Sequence, residues 1–540
     1  MHDKVRQVTG RQKSAGASCI EAKDGTIIME QEEMLQRWKE YIGELFADSR
    51  GQRPVSQKRG GNDIMEEEIK KALDSMAKAK AAGPDGIVVE MLSALEEFGV
   101  SRITQLANKI YAEEHFPAEM CKSVFITLPK KPGATKCELY RTISLMSQLT
   151  KVILRVLLNR LRGRTAGEVA EEQYGFTPDK GTRNAIFVLR MLGERAVEMQ
   201  KDLYVCFIDY VKAFDRVQHG PLFEMLESLD LDGQDVELMK NLYWDQQAAV
   251  RVNSIISEYV EIERGVRQGC VLSPDLFSLY TEMIMRHIKE MEGIRVGGVN
   301  VNNLRYADDT ALLADEEKKL QDLLDVVVTE SERKGLEINK KKYYVMVMSK
   351  KTTAPVCYVT VKRERLEQLS CFNLGSMVTS DGKSDTEIKR RIGIAKTVYK
   401  KMERLLTSRN VDLGTRIRLL KCYVWSTLLY GCETWTVSKT MEARLQAAEM
   451  WFYRRMLKVS WVEKVSNAEV LRRAGVQQDL VLKIIHRQIS FIGHVLRKGQ
   501  LEEAALTGRI EGKRARGRKE VRCLGGWSAR LGLDRWTSLR

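Results

Sequence analysis

Three aspartates sit where the surrounding pattern leaves them little freedom. Asp209 closes the apolar run Val205-Cys206-Phe207-Ile208. Asp308 and Asp309 lie in Tyr306-Ala307-Asp308-Asp309, between Asn302-Asn303-Leu304 and Thr310-Ala311-Leu312-Leu313. Short apolar runs of this kind suit strands buried under helices. A carboxylate at the end of such a strand is costly to bury unless it is paired or holds a cation. Two adjacent acids at a hairpin tip, facing a third on a neighbouring strand, repel one another. Mg²⁺ relieves that repulsion, because it takes a few carboxylates and completes its octahedron with phosphate oxygens and water. The chemistry implied is in-line phosphoryl displacement, with two ions activating a 3′-hydroxyl and steadying the departing pyrophosphate. Blander readings exist: Asp209 alone suits a helix cap or a solvated strand end. Asp309-Thr310-Ala311 has the form of an aspartic-protease triplet, yet no second copy exists and Asp308 would spoil a shared-proton pair.

The elements that must position these acids can be read coarsely. An amphipathic helix is expected over 31–46, followed by a polar link over 48–62. A second helix over 66–80 runs into the turn Gly83-Pro84-Asp85-Gly86. Helical patterns then dominate to about residue 200, with one short strand over 124–128. Beyond 385 the chain is helical again. In 387–406, Ile388, Ile392, Ala395, Val398, Met402 and Leu405 recur at three- and four-residue steps, with Lys389, Arg390, Arg391, Lys400 and Lys401 largely between them. Trp425, Trp435, Trp451 and Trp461 are expected as core anchors of a helical bundle rather than base-stacking platforms. Residues 497–540 carry twelve Lys/Arg against five Asp/Glu; within them 512–519 suits an RNA-binding segment or a nuclear address, and equally a flexible solubilising tail.

The whole chain has 540 residues, 44% apolar and 30% charged, which is a globular balance with ample length for a large core. A net charge of +15 favours a polyanionic partner, most simply nucleic acid. The ten cysteines are scattered without a C-x-x-C pair and never meet histidines at ligand spacing. Reduced thiols in a nuclear or cytoplasmic protein are expected, with no structural zinc site. No apolar stretch is long enough to span a bilayer and no leader marks the chain for secretion, so neither membrane insertion nor export is expected.

The order of the motifs adds what none supplies alone. Phe207-Ile208-Asp209-Tyr210-Val211-Lys212-Ala213-Phe214-Asp215, then Arg264-Gly265-Val266-Arg267-Gln268-Gly269-Cys270-Val271-Leu272-Ser273-Pro274, then Tyr306 to Asp309 follow one another. Upstream stand Gly83-Pro84-Asp85-Gly86, Pro129-Lys130-Lys131, Tyr140-Arg141-Thr142-Ile143-Ser144-Leu145 and Gln173-Tyr174-Gly175-Phe176. Downstream stand Leu429-Tyr430-Gly431-Cys432-Glu433-Thr434-Trp435, Arg454-Arg455-Met456-Leu457 and Gly493-His494-Val495-Leu496-Arg497. On these residues the sequence resembles the endonuclease/reverse transcriptase of LINE-type (non-LTR) retrotransposons, over nearly its whole length. The endonuclease is not part of the resemblance, which starts in the segment that joins the two activities, around Asp24-Gly25 and Arg37-Trp38-Lys39-Glu40-Tyr41. Polymerisation without self-sufficient retrotransposition is the expectation.

The resemblance implies an α+β, right-hand polymerase: fingers, a palm with an antiparallel sheet, a thumb, and a helical basic C-terminal region. Its parts are expected at 1–62 (connector), 63–200 (fingers), 201–383 (palm), 384–465 (thumb-like) and 466–540 (basic), with the reverse transcriptase domain at about 110–380. Asp209 and Asp308 are implied as principal metal ligands, with Asp309 in support and two Mg²⁺ ions, or Mn²⁺ in their place. Phe214 is implied as the ring that excludes a ribose 2′-hydroxyl. Gln268 and Gly269 would lie against nucleotide and template, and Lys130 and Arg141 would hold the triphosphate. Lys342 is the candidate proton donor to pyrophosphate. Nucleic acid would lie along Lys389, Arg390, Arg391, Lys400 and Lys401, and against Lys513, Arg514, Arg516 and Arg518 in the tail. The partners implied are an RNA template, a DNA primer and deoxynucleoside triphosphates.

Two segments depart from the family's pattern. Lys340-Lys341-Lys342 is followed by Tyr343-Tyr344 where the family has threonine and lysine. Phe372-Asn373-Leu374-Gly375 is one residue short of the usual primer-grip segment. On a strand one deletion reverses every following side chain unless a bulge absorbs it. These changes suit a second reading, a catalytically inactive decayed or domesticated fragment that binds nucleic acid. A third, an RNA-dependent RNA polymerase, shares the paired aspartates but would not favour an aromatic at 214.

Overall fold

In the computed structural model, residues 19–58, 60–339, 342–351 and 353–512 are described. Helix α1 (Gln31–Phe46) forms over the residues its amphipathic pattern marks, and buries Trp38, Tyr41, Ile42 and Phe46. Next come strands β1 (Lys122–Pro129) and β2 (Tyr140–Leu145), helix α2 (Thr182–Glu198), β3 (Leu203–Ile208) and β4 (Gln247–Val252). Helix α3 (Ser273–Met285) precedes the hairpin of β5 (Asn303–Tyr306) and β6 (Asp309–Ala314), then α4 (Glu317–Arg333) and β7 (Tyr344–Met348). A short hairpin, β8 (Cys371–Asn373) and β9 (Met377–Thr379), leads into the helices. These are α5 (Asp385–Lys401), α6 (Lys439–Leu457), α7 (Leu480–Lys498) and α8 (Leu501–Thr507).

Two sheets organise the α+β body. The first runs β5-β6-β3-β7 and ends on the short strand Glu367–Gln368; it is antiparallel except for that last pairing. β3 is its middle strand. Partners on both edges and packing on both faces explain why its residues are apolar almost without alternation. The second sheet joins β2, β1 and β4, with β1 parallel to β4. Strands from either side of residue 200 therefore share one sheet, which a reading of 63–200 as a helical unit did not anticipate. Helix α1 lies over this sheet: Trp38 meets Tyr140 edge-on at 5.3 Å and Phe46 packs on Phe125 at 5.7 Å.

Beyond the first sheet the chain divides its apolar residues between two places. α5, α6 and the first part of α7 (Leu480, Val481, Ile484) build a separate core around Tyr399, Trp425, Trp435 and Phe452. The rest of α7 and α8 seal the face of the first sheet, where Phe491 meets Phe187 of α2 edge-on at 5.1 Å. Glu502 accepts a hydrogen bond from buried Asn184 at 2.9 Å. Residues 497–512 are built into the body as a helical region, with Leu501, Ala505, Leu506 and Ile510 buried.

Candidate active site

The hairpin of β5 and β6 turns on two residues, Ala307 and Asp308, with Ala307 at φ +58°. Two-residue turns with a positive φ match the right-handed twist of the strands they join. For alanine that conformation is uncommon and needs support. The support comes from residues 172–175, running beside β5. Arg305 N–H donates to Glu172 O and Tyr174 N–H to Arg305 O, each at 2.8 Å. The Gln173 Oε1 atom accepts from Ala307 N–H at 3.1 Å and from Gly175 N–H at 2.8 Å. Gly175 is pressed so closely on the turn that a Cβ there would fall 2.2 Å from Ala307 N. Beneath them, buried Arg305 pairs with Glu282 of α3 at 2.9 Å.

Strand register brings the third aspartate alongside. The last pair between β3 and β6 is Ile208 with Thr310, so Asp209 and Asp309 lie one step beyond it, at the same end of the sheet. Asp209 is tied down by the segment after α4: its carbonyl accepts from Asn339 N–H at 2.8 Å and its Oδ2 from Asn339 Nδ2 at 3.2 Å. Lys342 Nζ stands 2.8 Å from the same Oδ2. Burial raises the Asp308 carboxyl above the ordinary range, and Asp209 adds to this. Burial, then the charges of Asp308 and Asp209, push Asp309 up to about 6. The donor set is all hard oxygen under mutual repulsion, which suits a divalent cation. Among the described residues no group of three His, Cys, Asp or Glu side chains converges at chelating distance. Lys342 instead supplies the positive charge at Asp209.

The other wall of the site is built from the turn after β3 and the loop before α3. Phe214 stacks on Phe277 of α3 at 4.4 Å with 15° between the rings, and meets Phe176 edge-on at 5.9 Å. Its backbone oxygen accepts from Val266 N–H at 2.8 Å, which ties the two motifs together. Gln268 Nε2 donates to buried Asp215 at 2.9 Å. Gly269 adopts φ +118°, and a Cβ there would fall 2.7 Å from Ser144 O in β2. Lys130 and Arg141 project from the ends of β1 and β2. Lys130 Nζ donates to Glu138 O at 3.1 Å, and the charge of Arg141 acts to lower the carboxyl of Asp308.

Sequence reading missed several supporting residues. Burial raises Asp215 to about 6, opposed first by Lys212, while burial lowers Lys212 to about 8. Lys212 donates to the Tyr41 hydroxyl and lies 4.5 Å from the centre of its ring. Helix α1 is thus more than a connector. Through Tyr41, Lys212 and Asp215 it reaches Gln268. Tyr41 carried no signal except its place in the resemblance, whereas Gln173 stood in a quoted motif whose task only the tertiary contacts reveal.

Residues 128–377 match the family described as "Reverse transcriptase (RNA-dependent DNA polymerase)". The Pol polyprotein of the type-1 retrotransposable element R2 from Nasonia vitripennis is 27% identical, across 53% of this chain and 27% of its own length. The RNA-directed DNA polymerase from mobile element jockey of Drosophila funebris is 26% identical, across 79% of this chain and 47% of that protein. Residues 128–377 are a reverse transcriptase domain of the non-LTR retrotransposon kind. The chain spans about a quarter to about half of these two relatives. Among solved structures, a telomerase from Candida tropicalis bound to a telomeric RNA fragment superposes with a TM-score of 0.37 at 14% identity, across 75% of this chain and 67% of that one.

Within this reverse transcriptase domain the two departing segments find places in the packing. Tyr343 is buried under β3, and Tyr344 meets Phe372 at 5.8 Å. Phe372 in turn stacks on Phe207 at 3.9 Å, in a hairpin whose turn holds Gly375 at φ +81°. The basic helix needs a correction. Arg391 is buried, and both it and Arg390 pair with buried Glu387, at 2.6 and 3.1 Å; Arg391 also reaches Gly375 O. Arg391 locks α5 against the short hairpin and Arg390 helps it compensate the buried Glu387, because a buried carboxylate demands compensation. Lys389, Lys400 and Lys401 remain exposed on α5. Lys513, Arg514, Arg516 and Arg518 lie outside the described residues.

Proposed function

We propose that the chain copies an RNA template into DNA, adding deoxynucleotides to a primer 3′-end. The observation that carries this is the register that sets Asp209 beside the Asp308-Asp309 turn, with a rigid aromatic opposite. Asp209 and Asp308 would hold the divalent cation with help from Asp309. Mg²⁺ is the natural choice, two ions the expected number and Mn²⁺ a substitute; bound, the metal supplies Lewis acidity toward the hydroxyl and the phosphate oxygens. The primer's 3′-oxygen attacks the α-phosphorus, the bond to the β-phosphate oxygen breaks, and pyrophosphate leaves. Lys342, 2.8 Å from Asp209, would give the leaving group a proton, and Lys130 and Arg141 would hold the triphosphate. Gln268 is oriented by Asp215, and Gly269 lets the backbone come close.

Phe214 would select the sugar. Braced by Phe277 and Phe176, its ring has little room to withdraw from an added 2′-hydroxyl. In hand terms, residues 63–200 with β4 would act as fingers, 201–383 as palm, 384–465 as thumb, and 466–540 as a region that folds back on the palm. The expected partners are RNA template, DNA primer and deoxynucleoside triphosphates, met in the nucleus or cytoplasm. No helix among the described residues is long and apolar enough to cross a membrane.

A second reading, a binding fragment without activity, has one observation in its favour. Phe372 is spent on stacking against Phe207 and so is withdrawn from a primer. Primer extension on an RNA template, with Mg²⁺ and deoxynucleotides, decides between them when run beside Asp308→Ala. Extension that vanishes in the variant supports the polymerase; duplex binding without extension in either supports the second reading.

A further inference from the structure

The helical region carries an aromatic that folding does not use. Trp461 and Val462 are 78% and 87% exposed, on the short turn Trp461–Glu463 after α6. Two large apolar side chains this open, side by side, are an unusual use of surface. The turn that presents them is rigid. Ser460 Oγ accepts from Val462 N–H at 3.3 Å, and Glu463 Oε1 accepts from Ser460 N–H at 2.8 Å, a reciprocal cap. Below the ring, the Arg454 guanidinium sits 4.7 Å from its centre. That arginine is 6% exposed and anchors the chain after the turn through Val465 O at 2.6 Å and Asn467 Oδ1 at 2.9 Å. Its Nε is buried without a hydrogen-bond partner. One face of Trp461 is therefore backed by a cation and the other is open.

The turn forms one side of a groove that continues over Trp451, Arg455 and Lys458. Two further cations lie over the Trp451 ring, Lys396 Nζ at 5.0 Å and Arg455 at 5.4 Å from its centre. Glu403 is the acid of the lining, and Arg455 already neutralises it at 2.9 Å. A groove with surplus positive charge and flat aromatic faces matches a polyanion that carries flat rings. We propose that the Trp461 groove is a binding site for an unpaired nucleic-acid strand, with a base stacked on Trp461 and its phosphates along Arg455 and Lys458. A duplex would offer phosphates but no free base face, so the site discriminates for single strands. The proposal rests on the chain handling nucleic acid, but not on its catalysing polymerisation.

The test measures the affinity of the whole chain for a fluorescent 12-nucleotide single strand and for a duplex of the same length. It compares the unaltered protein with Trp461→Ala, Trp461→Phe and Lys458→Glu, with thermal unfolding confirming that each variant is folded. Trp461→Ala is expected to weaken single-strand binding about tenfold, Trp461→Phe to recover most of it, and duplex binding to move much less. Lys458→Glu should flatten the salt dependence of single-strand binding. Unchanged single-strand affinity in Trp461→Ala would overturn the assignment. So would unchanged affinity accompanied by lost self-association, which would make the turn a protein contact. If the unaltered chain extends no primer yet binds single strands through Trp461, the polymerase reading falls and this one stands.

Discussion

The aspartate hairpin and the Trp461 turn are both short rigid turns that present charge, and they are made rigid by opposite means. The hairpin is held from far along the chain: by Gln173 and Gly175, by β3, and by the Asn339 segment that fastens Asp209. The Trp461 turn is held by Arg454, Ser460, Glu463 and Asn467, all within one short stretch. The hairpin gathers like charges that repel and therefore needs outside constraint; the other turn stacks a cation on a ring, which attracts. Long-range constraint couples chemistry to fold at the first site, whereas local constraint leaves the second free to vary without disturbing the body.

That contrast can be broken by experiment. Asp308→Ala should lower primer extension by about a thousandfold or more while leaving the fold intact, since charge stabilisation at the reacting phosphate is what it removes; single-turnover extension reads the loss. Gly175→Ala should destabilise by about 3 kcal/mol and cut activity as well, because the added methyl meets the Ala307 backbone rather than a flexible side chain. Denaturant unfolding beside extension checks that both fall together. Phe214→Ala should narrow the preference for deoxy- over ribonucleotides by about 10- to 100-fold, read as a ratio of kcat/KM. Unaltered sugar discrimination would remove the gate from the account.

The smaller effects sharpen the comparison. The native Asp215 carboxyl, raised to about 6 by burial, holds its proton over a range where the unfolded chain has lost it. Its contribution to stability therefore falls as pH rises from about 4 to about 6. The stability of the unaltered protein relative to Asp215→Asn should decline across that interval, as urea titrations at about pH 4.5 and about pH 7.5 would show. Trp461→Ala should move stability by no more than about 0.5 kcal/mol, since an exposed side chain buries little. A larger loss would mean that the turn is part of the bundle's packing after all.

Much of the catalytic end was legible because its signals are local. Apolar runs that end in aspartate, and helix 31–46 with its buried stripe, need only neighbours in sequence to be recognised. Other readings failed where packing, rather than residue type, decides what is exposed. Arg391 looked like an open basic face until Glu387 and Gly375 claimed it. Where residues 497–512 dock was not legible, because the face that buries them belongs to α2 and β3. Trp461 was expected inside the bundle, as Trp425 and Trp435 are, since spacing alone does not tell which tryptophan a later helix will cover.

By itself the sequence determined the kind of chemistry, the order of the motifs and the class of fold, because residue type and short-range periodicity fix charge, turn geometry and which faces avoid water. The tertiary structure decided which segments hold the aspartates in place, that α1 reaches Lys212 through Tyr41, and which arginines and tryptophans remain exposed. Those outcomes depend on contacts between residues often hundreds of positions apart. A buried charge or an exposed ring acquires its meaning only from what packs against it.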